Sequence, residues 1–135
     1  MADVKKFHDI FTPDAINDDL LNKIDRRLQL MYEEYEEVTQ AILYLEETRL
    51  NLTSSTLSEA MEEVAKELGD LLYVTYGTAE ELGIPLEEVF KAVHESNMSK
   101  VWSDGTVKHN DFGKVLKPDT YSPPDLSFIH ESTIQ

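Results

Sequence analysis

The sequence predicts an all-α fold, a four-to-five-helix bundle with an extended C-terminal arm. Three observations predict it. Between Asp14 and Gly69 there is neither glycine nor proline, so nothing in that stretch breaks a helix. Apolar residues recur at alternating spacings of four and three, the period of a helix face, while strand-like alternation is weak everywhere. After Val101 the punctuation thickens, with Gly105, Gly113, Pro118, Pro123 and Pro124, which forbids another long helix.

Each element follows in order. Val4 to Phe11 reads as a short helix stopped before Pro13, because a proline pushes its predecessor out of the helical region. A long helix from about Asp18 to Leu45 carries Ile24, Leu28, Met31, Tyr35, Val38, Ile42 and Leu45 as its expected inner stripe. Arg49 to Ser58 is polar and reads as a connection. Thr56 with Glu59 three residues on forms a capping box for the third helix. Its expected inner stripe is Met61, Val64, Leu68, Leu71, Leu72 and Thr75, and Gly83 ends it as a left-handed cap. Pro85 opens a fourth helix running to about Lys100, with Leu86, Val89, Phe90 and Val93 inward. A short hairpin fits Thr106–Val115. Residues 1–103 are expected to form the helical domain and residues 104–135 its arm, within one domain.

Composition narrows the function. The 135 residues contain 41% hydrophobic and 29% charged side chains, ordinary for a globular chain able to bury a core. There is no cysteine, which excludes disulfides, zinc–thiolate sites and cysteine nucleophiles. With 12 basic and 27 acidic groups the formal charge is −15. That field disfavours nucleic acid and anionic membrane as partners and attracts cations. Residues 1–100 hold 9 of the basic and 22 of the acidic groups, so the arm is nearly balanced and its Lys108, Lys114 and Lys117 stand out. Neither a secretory signal in residues 1–15 nor an apolar run near ~20 residues is present, and the expectation is a cytoplasmic protein.

Two acidic motifs fall on the two central helices: Glu33-Glu34-Tyr35-Glu36-Glu37 and Glu67-Leu68-Gly69-Asp70. At 100° per residue, Glu34 and Glu37 lie about 60° apart, and Glu34 borders the inner stripe. Glu63, Glu67 and Asp70 share one line on the third helix, beside Leu68. Antiparallel packing would bring the two pairs together. Like charges at this spacing destabilise a helix by ~0.2–0.5 kcal/mol per pair. A hard divalent ion such as Mg²⁺ or Mn²⁺ reverses that penalty, since it takes carboxylate and phosphate oxygens. The residues alone leave two readings open, a metal centre or an ordinary solvated acidic face. A di-iron centre needs Glu-x-x-His, and Lys91 stands three before His94 instead.

Smaller signals surround these. His8 reads as a capping or packing histidine, and Trp102 and Tyr121 as packing aromatics. Asn97 and Lys100 close the fourth helix, where lysine suits the helix dipole and would also suit phosphate. No phosphate-cradling glycine loop or nucleophile elbow occurs.

Taken together, these motifs resemble the MazG-like all-α nucleoside triphosphate pyrophosphohydrolases. Glu33-Glu34-x-x-Glu37 looks like the family's EExxE, and Glu67-x-x-Asp70 its ExxD. Phe7-His8-Asp9-Ile10-Phe11 is similar to its N-terminal FHxxF element, and Asn97-Met98-Ser99-Lys100 to its NxSK segment. Gly113–Pro118 and Ser122–Leu126 resemble the arm of a phage and bacterial branch, and a phage origin would make the compartment the host cytoplasm. The 29 residues between Glu37 and Glu67 are at the long end of the family's spacing.

The resemblance implies hydrolysis of an NTP or dNTP between the α- and β-phosphates, giving the monophosphate and pyrophosphate. By position, Glu34, Glu37, Glu67 and Asp70 would hold Mg²⁺ or Mn²⁺, and Glu33 would contact the attacking water or a further ion. Asn97 and Lys100 would hold phosphate, with help from Lys114 or Lys117. A homodimer or homotetramer is implied too, and a purine deoxynucleotide such as dGTP is the expected substrate. The contrasting expectation is a non-catalytic acidic helical module that binds a partner or buffers divalent ions.

Overall fold

The computed structural model of the chain describes residues 2–11 and 19–129. Among these there are four helices and no strand: α1 (Ala2–Phe11), α2 (Leu20–Arg49), α3 (Leu57–Glu81) and α4 (Leu86–Met98). The all-α expectation therefore holds. The chain divides into two compact units that part between Gly83 and Ile84.

The first unit is a helical hairpin, α2 and α3, with α1 laid on α3. The hairpin is antiparallel. Near its open end Arg26 and Arg27 of α2 pair with Glu81 of α3. Further along, the Thr75 hydroxyl meets the Met31 sulfur at 3.8 Å. At the closed end the Tyr44 and Ser55 hydroxyls are bonded, as are those of Thr48 and Thr53 at 2.9 Å.

Local chemistry sets the helix ends. The Asp19 carboxylate accepts from the Asn22 N–H at 2.9 Å and caps α2. The predicted start at Asp18 and the stop at Pro13 lie outside the described residues. At its other end α2 runs one turn beyond the predicted Leu45, to Arg49. The buried Thr48 explains this, because its hydroxyl serves both the Tyr44 carbonyl and Thr53. Asn51 then turns the chain at φ 58°, a left-handed conformation asparagine tolerates. The capping box forms as expected, Thr56 and Glu59 satisfying each other's backbone N–H. Gly83, at φ 66°, follows α3 in the left-handed conformation predicted for it.

The inner faces are rotated from those expected. On α2 the buried residues are Arg27, Val38, Ala41 and Thr48. Ile24, Leu28, Tyr35 and Ile42, expected inside, are exposed. On α3 the buried residues are Ala60, Glu67, Gly77 and Ala79, while Met61, Leu68 and Leu72 are half exposed. Polar groups thus occupy positions that hydropathy alone gives to apolar ones. The core is made of small residues, and among the described residues no large side chain is fully buried.

On α1, Phe7 and Phe11 stack at 4.3 Å, and Phe7 meets Tyr73 edge-on at 5.5 Å. Lys5 reaches Glu80 at 3.1 Å. The side chain of His8 lies outside the described residues.

The second unit is α4 and the arm. The helix begins after Pro85 and ends at Met98, two residues short of the predicted Lys100. Phe90, expected inward, is 71% exposed. The hairpin foreseen over Thr106–Val115 reduces to a single antiparallel bridge, His109 with Val115. Asn110 organises its turn, accepting from the Phe112 and Lys114 N–H groups. No described helix is long and apolar enough to cross a membrane.

Candidate metal centre

Antiparallel packing of α2 on α3 places Glu34 opposite Glu67, and Asp70 follows one turn along α3. One carboxylate oxygen from each of Glu34, Glu67 and Asp70 lies within 4.8 Å of the others. The three are not alike. Glu67 is buried, Glu34 is half-buried, and the Asp70 side chain is 50% exposed. One oxygen of Glu34 and one of Glu67, both Oε2, are buried and make no hydrogen bond. Orphaned buried carboxylate oxygens are rare and point to an absent partner.

The electrostatics agree with a site short of positive charge. Burial pushes the Glu34 carboxyl above its usual range, and the charges of Glu37, Asp70 and Glu67 push it further. Glu67 goes the other way. Its hydrogen bond from Lys66, 2.7 Å from Nζ to Oε1, holds its carboxyl below the usual range against burial. Lys66 also approaches Asp70 at 3.3 Å. These two carboxylates raise the Lys66 ammonium well above an ordinary lysine. One lysine thus faces a cluster of carboxylates and offsets only part of what raises Glu34. Hard oxygen donors converging with unsatisfied lone pairs fit a divalent cation of the Mg²⁺ or Mn²⁺ type.

The other residues singled out by sequence fall in different places. Glu37 stands against Glu67 and adds its charge to Glu34, though it lies outside the triad. Glu33 is on the exposed side of α2, accepting from the Gln29 amide at 2.8 Å. Glu37, Glu67 and Lys66 line a groove of about 720 Å³ that continues past Gln40 and Tyr44. In the second unit, the Lys100 ammonium donates to the Asn97 side chain at 2.7 Å. Lys117 lies over the Tyr121 ring, 4.1 Å from its centroid. The Tyr121 hydroxyl bonds Ser96, and with Lys117 and Lys100 nearby its acidity rises. Lys114 lies in the Asn110 turn. Sequence reasoning missed Lys66 and the convergence on Tyr121. The first had a readable signal, since Lys66 and Asp70 are four apart on one helix.

The model of the phosphoribosyl-ATP pyrophosphohydrolase family matches residues 4–97, well over half of the chain and every carboxylate of the cluster. The chain belongs to this family. A phosphoribosyl-ATP pyrophosphohydrolase-family chain is a MazG-like, all-helical member of the pyrophosphohydrolase superfamily, so the activity is of the pyrophosphohydrolase type, hydrolysis of an acid anhydride. The family generally depends on divalent metal, in keeping with the carboxylate cluster. The match ends at Asn97, before Lys100 and the arm lysines. No curated protein matches the chain.

Proposed function

We propose that the chain is a divalent-metal-dependent nucleoside triphosphate pyrophosphohydrolase, converting a dNTP and water to the dNMP and pyrophosphate, with a purine deoxynucleotide such as dGTP as its preferred substrate. The observation that carries this reading is the convergence of Glu34, Glu67 and Asp70 with two buried, unbonded oxygens. With Glu37 beside them, these residues would hold Mg²⁺ or Mn²⁺. A bound ion of that kind neutralises phosphate oxygens and makes water a better nucleophile. Glu33, next to Glu34 in sequence, is the residue proposed to orient and deprotonate the attacking water. Asn97, Lys100, Lys114 and Lys117 are proposed to hold phosphate oxygens, supported by the pairing of Lys100 with Asn97 and by the approach of Lys100 and Lys117 to Tyr121. Lysines are the complement a triphosphate needs in a protein of charge −15.

The family model favours a second reading of the substrate, phosphoribosyl-ATP. That molecule carries a triphosphate chain as well, so the same cluster serves either.

The test is a panel. The purified protein is incubated with each NTP and dNTP, with dUTP and with phosphoribosyl-ATP, in Mg²⁺ and separately in Mn²⁺, and the products are separated by chromatography. Monophosphate and pyrophosphate are expected, and the fastest substrate names the base. Diphosphate and phosphate as products would overturn cleavage between the α- and β-phosphates, and no turnover by folded, metal-loaded protein would overturn the reading in favour of an ion-binding helical module. Glu67→Gln and Asp70→Asn should each lower turnover by more than about 100-fold, because outer-shell partners of metal ligands alone account for about 10–100-fold. Their helical circular dichroism should stay intact.

We further propose that the working form is a homodimer or homotetramer. Supporting this, α2 exposes Leu21 (72%), Leu28 (67%) and Tyr35 (61%) at helical spacing. A small-residue core with that much apolar surface outside suits a second copy, and closed symmetric association is the commonest way to cover such a face.

A further inference from the structure

Lys66 is the one basic residue, among those described, that lines the 720 Å³ groove beside the carboxylate cluster. Its ammonium sits against two of the three clustered carboxylates, 2.7 Å from Glu67 and 3.3 Å from Asp70. Lys66 holds Oε1 of Glu67 while Oε2 is unbonded, and a divalent ion drawn to these carboxylates repels an ammonium held against them. The lysine is not trapped there, since 59% of its side chain is exposed and the groove is open beside it. A strongly hydrated point charge on a four-carbon stem swings readily between partners. When metal takes those carboxylates, the ammonium is released into a groove it lines together with Glu37, Glu59 and Glu63, where it can meet a phosphate chain.

We propose that Lys66 is the site's resident counter-ion, yielding Glu67 and Asp70 to the incoming divalent cation and then moving to the polyphosphate of the nucleotide. This deepens the metal-centre reading above and rests on it. Two consequences of opposite sign follow. Lys66 competes with the metal and therefore weakens binding of the ion alone. It also neutralises substrate and therefore strengthens binding of the nucleotide. The groove then presents little positive charge to a triphosphate until the metal has arrived, which imposes an order on loading.

The experiment uses the full chain and Mn²⁺ alone as the first probe, by titration calorimetry without nucleotide. Lys66→Met should bind Mn²⁺ about three- to tenfold more tightly than the wild type, the range set by one or two partly exposed ion pairs. Lys66→Arg, which keeps a charge, should stay within about twofold of wild type. In the second measurement, Lys66→Met should raise KM for the best nucleotide about tenfold or more, as loss of a charge-assisted bond to phosphate predicts, with kcat changed much less. A merely structural lysine would weaken both kinds of binding together. Unchanged or weaker Mn²⁺ binding by Lys66→Met overturns the counter-ion role, and an unchanged KM overturns the transfer to phosphate. If the wild type itself binds no Mn²⁺, the metal centre falls and this proposal with it, an outcome distinct from failure of Lys66 alone.

Discussion

Glu34 and Glu67 face each other across the hairpin, yet a proton affects them in opposite ways. The Glu34 carboxyl is raised in the folded protein by burial and by its acidic neighbours. The folded state therefore holds a proton that the unfolded state releases, and Glu34 subtracts from stability as pH rises from the ordinary carboxylate value through its folded one. Without metal at neutral pH this carboxylate is a liability. Glu34→Gln should raise the melting temperature of the metal-free protein by about 2 °C, the equivalent of relieving one or two like-charge contacts. It should also remove most of the rise that Mn²⁺ gives the wild type. Scanning calorimetry with and without Mn²⁺ checks both, and a lowered metal-free melting temperature would contradict the repulsion. At this scale the clustering of Glu34, Glu67 and Asp70 was legible in sequence, because ExxE and ExxD place carboxylates on a single helix flank whatever the packing. Lys66 was less so, since where its flexible stem takes the ammonium depends on groups from two helices.

Among the elements, the α2–α3 hairpin is held at its open end by Arg27, Arg26 and Glu81. Burial alone would raise the Glu81 carboxyl, but the Arg27 and Arg26 guanidiniums more than offset it and keep it below the usual carboxylate range. The folded state then binds fewer protons than the unfolded one. The contribution is complete above the ordinary carboxylate value and is lost as pH falls through it towards the folded value. Glu81→Gln should thus destabilise the protein by about 3 kcal/mol at pH 7, because it removes the buried carboxylate that the Arg27 and Arg26 guanidiniums share. The deficit should shrink in acid, below the range where Glu81 titrates. Urea melts at pH 7 and at pH 3 measure the difference. The ends of these helices were readable: Thr56 with Glu59, and Gly83, act through bonds made within a few residues. The faces were not. Glu34, Glu67 and Arg27 occupy inward positions, where desolvation makes charges unexpected unless each finds a partner. Reading the most apolar stripe as the inner one therefore rotated both helices, leaving Leu28 and Leu68 outside.

For the whole molecule, that rotation becomes informative. The surface has charge −15 and yet exposes an apolar line along α2. Under the proposed self-association, sedimentation velocity should find a species well above the 15.5 kDa of one chain. Leu28→Glu should shift it towards the monomer while leaving helical content unchanged, since substitutions at exposed positions usually alter stability by no more than about 0.5 kcal/mol. A wild-type monomer at working concentration would refute the assembly without touching the carboxylate cluster. The all-α class was open to sequence because it depends on periodicity summed over many residues. The division of the chain at Gly83 was not, because it depends on how densely contacts gather on either side of a short connection.

Gly69 lies between the two α3 carboxylates, and a β-carbon built there would meet no atom within 4 Å. The chain has no thiol of its own. A cysteine at position 69 would therefore be a unique attachment point, one residue from Asp70 and in open space. A fluorophore carried there would watch the cluster from beside it, reporting in real time whether an added ion or nucleotide arrives, while all three carboxylates stay in place.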